Sequence, residues 1–418
     1  MLENRSDRRS FLKTTVTGAA GILAASGMSA SRRALGANNR IRIGLIGCGG
    51  RGNYLRSVVK ELGEEGNAEI VAVCDVWKKN LNKTGDEVKA NFGTDPKRFQ
   101  RYRDVLALSD VDAVMIATPD FAHSRILTEA AYAKKHVFCE KPMSNNLADA
   151  CTAVDAVEST GVVCQVGTQR RSSPWFQKAR ELVQTGVLGP ITEVECCWNR
   201  NVPSWLDDPQ TYADMKKEDV DWEQFLMYLP QRPFDPCRLS CWHLYRDYTI
   251  GLVGLLGSHI IDVGTWFMDD PVPESAVGLG GTLIWKEKRE HYDTMESAFL
   301  FPKGFMMRFV SRLGNSAGED STQFRGLNGT FDTVTMTATG KGGAEGKAIP
   351  NPIPVEKPTE EFMEKRHVKN WLDCIRSGAQ PTADVHAGYA HSVIAVMAHN
   401  AADQGRRVRY DPVKREIL

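Results

Sequence analysis

The chain carries no excess charge of either sign, since 52 basic and 52 acidic residues leave a formal net charge of zero. A surface without basic bias gives no pull toward phosphate backbones or anionic lipid, so nucleic acid is not an expected partner. Beyond the N-terminal segment no stretch reaches the roughly 18 uninterrupted apolar residues of a membrane-spanning helix. No integral membrane segment is therefore expected, and no internal repeat is found. Paired cysteine clusters are also missing. Ten cysteines are scattered over 418 residues, several inside apolar runs, as small buried hydrophobes would be. Cys237 and Cys241 have a loose metal-like spacing and Cys196-Cys197 is a vicinal pair, but neither has a second ligand cluster, so no metal is expected.

The N-terminus carries a pattern of its own. Arg8-Arg9-Ser10-Phe11-Leu12-Lys13 precedes a weakly apolar stretch at 14–30 rich in small residues, and Ala34-Leu35-Gly36-Ala37 offers a cleavage segment. This reads as a twin-arginine export signal over 1–37, to be set aside from the fold. A soluble protein exported to a periplasmic or other extracytoplasmic space is the expectation.

The remainder, in a chain 42% apolar and one quarter charged, is long enough for two packed cores. From Arg40 the pattern alternates. Strands at 41–46, 69–74, 111–117, 136–139 and 162–166 are interleaved with helices at 53–62, 121–134 and 147–159, which predicts a parallel α/β sheet over 38–166. Beyond Gly167 the grammar changes. A helix at 174–184 leads to a strand at 191–198 and a loop rich in Pro, Asp and Trp. Strands at 297–301 and 305–312 flank the turn Pro302-Lys303-Gly304, which predicts a hairpin in a larger, mainly antiparallel open sheet. A Gly/Pro-rich connection at 340–358 and helices at 359–377 and 384–404 complete an α+β second domain over 167–418, its last helices free to pack back on the first.

Gly47-Cys48-Gly49-Gly50-Arg51-Gly52 has the G-x-G-x-x-G spacing between a strand and a helix. Such glycines permit a tight turn, close approach of a pyrophosphate, and close helix–strand packing with the phosphate at the helix N-terminus. Asp75 ends the next strand 23 residues beyond Gly52, where a carboxylate can bind both ribose hydroxyls. A carboxylate there repels a 2′-phosphate and Val76-Trp77 offers no cation, so NAD is preferred over NADP; Lys78 and Lys79 keep NADP open. Thr118-Pro119 with His123, and Glu140-Lys141-Pro142, lie just past predicted parallel strands, where open α/β sheets bind ligands. Adjacent charges such as Glu140-Lys141 also fit a solvated ion pair, although Val137-Phe138-Cys139 and Pro142 anchor this one on both sides.

These elements, with His259-x-x-Asp262 downstream, resemble in order and spacing the Gfo/Idh/MocA oxidoreductases, the glucose-fructose oxidoreductase and inositol dehydrogenase type. The similarity runs from about Arg40 nearly to the C-terminus, and Val166-Gly167-Thr168-Gln169-Arg170 and Pro381-Thr382-Ala383-Asp384 resemble segments of secreted bacterial members. The resemblance implies a Rossmann domain and a sheet domain whose open face lines the substrate site and mediates homo-oligomerisation. It implies a sugar or cyclitol substrate, Lys141 on the substrate hydroxyl and nicotinamide ribose, Glu140 helping to hold the cofactor, and His259 as acid/base. Gln169, Arg170 and Asp262 are the candidate substrate residues.

His259 follows Gly257-Ser258 and opens Ile260-Ile261-Asp262-Val263, which predicts a place in a helix's first turn, where the dipole disfavours imidazolium. Asp262 could orient it or merely favour the helix N-terminus. The residues alone fit a packed structural histidine as well as a catalytic one. One departure from the family pattern matters: many of its dehydrogenases carry an aspartate four residues before this histidine, and here that position is Leu255. Trp198, Trp205, Trp242, His243, Tyr245 and Arg246 suit either a sugar-binding wall or packing beneath long loops.

Export bears on the reaction, because free NAD is scarce outside the cytoplasm and a dissociating dehydrogenase would stall. NAD held tightly and recycled in place is the expectation. Hydride exchange with a sugar hydroxyl satisfies it, and so does a redox-neutral glycoside cleavage through a transient keto-sugar. A non-catalytic sugar-binding or scaffold protein is the third reading, against which Lys141 and His259 argue.

Overall fold

Five of the six residues in Ile41–Ile46 are fully buried, as a strand covered on both faces requires. The computed structural model describes residues 40–201, 206–318, 320–359 and 362–418, so the export signal expected at 1–37 lies outside the described residues. Around that first strand, β1, a parallel sheet is built with β2 (Ala68–Cys74), β3 (Lys97–Phe99), β4 (Ala113–Ile116), β5 (His136–Cys139) and β6 (Cys164–Val166). Its helices are α1 (Gly50–Gly66), α2 (Lys78–Phe92), α3 (Tyr102–Leu106), α4 (Asp120–Tyr132) and α5 (Leu147–Thr160). The order β3-β2-β1-β4-β5-β6 reverses between β1 and β4, opening a crevice at their carboxyl ends. The sequence reading passed over α2 and β3. Only Leu81, Thr84, Gly85 and Val88 of α2 are buried, a stripe too thin to show against its lysines and asparagines.

The second half contributes α6 (Pro174–Gln184), β7 (Ile191–Asn199), the short α7 (Trp222–Leu226) and α8 (Pro236–Ser240), then α9 (Ser258–Met268) and the strands β8 (Ser275–Gly281), β9 (Thr294–Leu300), β10 (Met306–Arg312), β11 (Asp320–Gly326), β12 (Gly329–Asp332), β13 (Thr337–Thr339) and β14 (Ile353–Pro354). After α10 (Met363–Ser377) and α11 (Val385–Gln404), β15 (Val408–Asp411) and β16 (Glu416–Ile417) finish a ten-stranded sheet ordered β14-β13-β12-β11-β7-β10-β9-β8-β15-β16. The hairpin β9–β10 forms as expected, and β7 joins β10 in the parallel sense. Residues of α9 and α11 cover one face, where Ile260, Phe267 and Val393 join Val194, Phe309 and Phe324 in a common core. Meanwhile α10 returns to the first sheet: Trp371 and Leu372 pack with Ile43, Leu55 and Leu62.

Between β7 and α9 a strap of irregular chain crosses the carboxyl ends of the first sheet. Val220 bridges Trp77, the Asp221 amide donates to the Val76 carbonyl (2.9 Å), and Arg101 pairs with Asp221 (2.8 Å). Trp222 and Phe225 stack at 5.0 Å, and Phe225 meets Phe121 and Tyr248.

Candidate active site

A cavity of about 870 Å³ lies between this strap and the sheet ends, lined by the glycine loop, Asp75, Thr118, Glu140, Lys141 and His259 among others. The loop's glycines have separate reasons. Gly47 takes φ +94°, and a methyl on it would press on the Ala117 carbonyl; one on Gly52 would overlap the Gly47 carbonyl. Gly49 and Gly50 face open space instead. No side chain caps α1, so its first amides are left for an anion, which fits the pyrophosphate of a dinucleotide.

Asp75 accepts from the Cys48 and Trp77 amides, each at 2.8 Å, while burial pushes its carboxyl up to about 6. The Asn80 side chain also reaches this carboxylate, whose remaining acceptor capacity suits a ribose hydroxyl. Lys78 and Lys79, which kept NADP open, are engaged elsewhere: Lys78 Nζ donates to the Glu218 carbonyl (2.9 Å) and Lys79 pairs with Asp214. Thr118 Oγ1 is buried without a hydrogen-bond partner, as is Gln169 Oε1, and both residues line the cavity. These orphaned acceptors, the open glycines and the ribose-seeking acid fit a dinucleotide.

His123 lines the cavity with its ring nitrogens each 2.8 Å from a carbonyl, of Thr118 and of Pro142, to one of which a neutral ring donates. It lies between the Thr118-Pro119 loop and the Lys141-Pro142 loop and holds one against the other. Glu140 is buried and accepts from Arg51 Nε at 2.6 Å, which joins the glycine loop to β5. The Lys141 ammonium donates to the Leu255 carbonyl. Burial lowers the pKa of Lys141, against the raising influence of Glu140 and Asp120.

His259 is the second residue of α9, but that helix does not start free. A π-helical segment, Val253–Gly257, precedes it and runs straight into α9, so the helix dipole acts from further away. Gly257, which suggested a helix start, serves packing, since a methyl on it would meet the Phe309 ring, as one on Gly254 would meet Ile250. Burial first, then the cations Lys141, Arg170 and Arg51, hold His259 well below the ordinary histidine range and keep the ring neutral. Its ring lies 5.5 Å from that of Trp198.

The substrate candidates separate. Gln169 lines the cavity, whereas Arg170 and Asp262 do not. Arg170 pairs with Asp320 (3.1 Å) and lies over Trp198. Asp262 faces Arg171, at 2.8 Å, rather than orienting His259. Of the loop candidates Trp242 lines the cavity, Tyr245 is core, Arg246 pairs with Asp403, and Trp205 lies outside the described residues. The sequence reading missed Asp120, which is buried, lines the cavity and accepts from Thr249 Oγ1 at 2.6 Å. At the start of α4 an aspartate looks like an ordinary helix-start acid.

Elsewhere, ligand atoms of Asp207, Cys237 and Cys241 come within 4.8 Å of one another. Asp207 is already held by the Tyr212 hydroxyl (2.8 Å) and the Lys288 ammonium (3.3 Å), and three donors fall short of the usual zinc tetrahedron.

Residues 41–168 match the oxidoreductase family with an NAD-binding Rossmann fold, and residues 225–410 match the C-terminal alpha/beta domain of that family. The chain is 30% identical over 191 residues to a myo-inositol 2-dehydrogenase of Thermotoga maritima, covering 45% of this chain and 55% of that protein. It is 35% identical over 184 residues to glycosyl hydrolase family 109 protein 2 of Shewanella sp. (strain ANA-3), covering 38% and 39%. The chain thus spans about half or less of the length of these curated relatives. In fold it is similar to the WlbA dehydrogenase of Bordetella pertussis, solved with NADH and UDP-GlcNAcA, at a TM-score of 0.67 and 22% identity over 89% of this chain and 99% of that one. With both of its domain models matched, the chain belongs to the Gfo/Idh/MocA family of NAD-binding oxidoreductases.

Proposed function

We propose that the protein exchanges hydride between a secondary hydroxyl of a sugar or cyclitol and NAD that stays bound. One observation carries this: Lys141 and neutral His259 share a cavity with an open glycine loop and a ribose-seeking Asp75. A bound nicotinamide supplies the hydride acceptor. The chain's own residues supply the rest. Thr118, Asp75 and the amides of α1 hold the dinucleotide, Glu140 braces the glycine loop through Arg51, Lys141 binds the substrate hydroxyl, and His259 takes its proton. The strap over the carboxyl ends of β2 and β3 favours retention, because NAD release would have to part it from Val76 and Trp77. Retention suits the exported location that the twin-arginine pattern suggests.

A second reading, redox-neutral cleavage of a glycosidic bond, is favoured by Leu255, which brings only a backbone carbonyl to Lys141 where family dehydrogenases carry a carboxylate. Similarity to a protein named as a glycosyl hydrolase points the same way. The open sheet face is proposed to pair with a second copy. It combines exposed Val277, Leu279, Leu300 and Met306 with Glu195 and Arg308, a mixture that can complement itself across a two-fold axis.

Mass spectrometry of the nucleotide released on denaturing purified protein, followed by a sugar and cyclitol screen read by nicotinamide absorbance, tests these readings. Released NAD with absorbance change supports hydride exchange. Glycoside cleavage without net change in reduced cofactor supports the second reading, and protein that neither carries nor binds NAD overturns both.

A further inference from the structure

Asp120 opens α4 immediately after the Thr118-Pro119 loop and is 1% exposed. Its Oδ2 accepts from Thr249 Oγ1 at 2.6 Å, and the Ile250 amide also reaches it. The neighbouring Phe121 amide donates to the Tyr248 carbonyl (3.2 Å), and the Gly251 amide donates to Thr249 Oγ1 (3.1 Å). The first turn of α4 is thus stitched to residues 248–251, which lead directly into the π-helical segment and His259.

The charges around Lys141 are few: Glu140 and Asp120 are the carboxylates that act on it, and Arg51 is the opposing cation. Glu140 is already spent on Arg51 at 2.6 Å. Among the described residues no cation pairs directly with Asp120, which lines the same cavity as Lys141. Position 255 can contribute only a carbonyl.

We propose that Asp120 is a positioning residue of this site: its carboxylate is the counter-charge of Lys141, in place of the one absent at 255, and its bond to Thr249 seats the segment that carries His259. The inference rests on the proposed roles of Lys141 and His259. Burial pushes the Asp120 carboxyl up to about 7, with Thr249 and Lys141 drawing it down. Ammonium and carboxylate stabilise each other in a cavity that disfavours either alone.

Asp120→Asn keeps the shape and an acceptor for Thr249 but removes the charge. Competitive acetic anhydride labelling of Lys141 across pH, read by peptide mass spectrometry on the NAD-loaded protein, is expected to show a midpoint lower by about one pH unit in this variant. On an active sugar, kcat is expected to fall about tenfold or more with KM little changed, and Leu255→Asp in the same chain is expected to restore part of it. The reciprocal measurement requires no folded Asp120 variant: in Lys141→Met, the carbon-13 NMR titration of Asp120 is expected to move up by a similar amount. An unmoved Lys141 midpoint, or an unmoved Asp120 titration in Lys141→Met, overturns the proposal. Because both titrations need no substrate, a failed sugar screen would count against the proposed reaction and leave this coupling separately decided.

Discussion

At Lys141 and His259, burial disfavours the charged form of two side chains that water would leave partly or wholly protonated. His259 is held well below 6.5 and Lys141 below 10.5, by desolvation in both cases and, for His259, by Lys141 itself. A base of this kind is blocked only when pH falls through its lowered pKa. The acid limb of the rate–pH profile is therefore expected below the ordinary histidine range, and His259→Asn should abolish that limb and reduce kcat by about 100-fold or more. A limb unchanged in the variant would show that another group takes the proton. The types and order of these residues were legible in the sequence, but not their partners. Leu255 could be seen to lack a carboxylate, whereas the use of its carbonyl by Lys141 depends on a π-helical turn that no local pattern announces.

Among the elements, the glycine turn was readable because its constraints are local: Gly52 is confined by the Gly47 carbonyl five residues away. The strap was read only as a loop rich in Pro, Asp and Trp. Its order comes from partners far away in sequence, such as Val76, Trp77, Arg101 and Phe121, together with the Trp222–Phe225 stack. Trp222 is buried, and its indole donates to the Arg232 carbonyl at 2.8 Å. Trp222→Ala should cost about 3–5 kcal/mol locally, loosening the strap while leaving the glycine turn in place. Stopped-flow release of NADH, followed by its fluorescence, should be faster in this variant; an unchanged rate would mean that the strap does not retain the cofactor.

For the whole molecule, pH should act on stability mainly through buried histidines. His291, His367 and His391 are lowered to about 3, 4 and 3, and His123, His136, His259 and His399 are lowered too. Below 6.5 the unfolded chain binds protons that these folded sites refuse, so stability is lost as pH falls, at up to about 1.4 kcal/mol per pH unit for each site. Asp75, Asp120, Asp262 and Asp270, raised above 3.8, act in the opposite sense and favour the folded state at low pH. Seven sites against four give a net loss, and calorimetry should find a lower Tm at pH 5 than at pH 7. Leu279, 77% exposed on the open sheet face, tests assembly. Leu279→Glu should shift the mass found by light scattering toward the monomer, with bound NAD unchanged. The sequence by itself determined the two-domain plan, the glycine turn, an acid at the end of β2 and the presence of Lys141 and His259, because each follows from patterns a few residues to one βαβ unit long. Tertiary structure alone decided that Asp262 answers Arg171, that Arg170 turns to Asp320, that the strap roofs the cavity, and that Asp120 lines the same cavity as Lys141. Those pairings join segments up to about 150 residues apart, and burial and charge select them only once the chain has closed on itself.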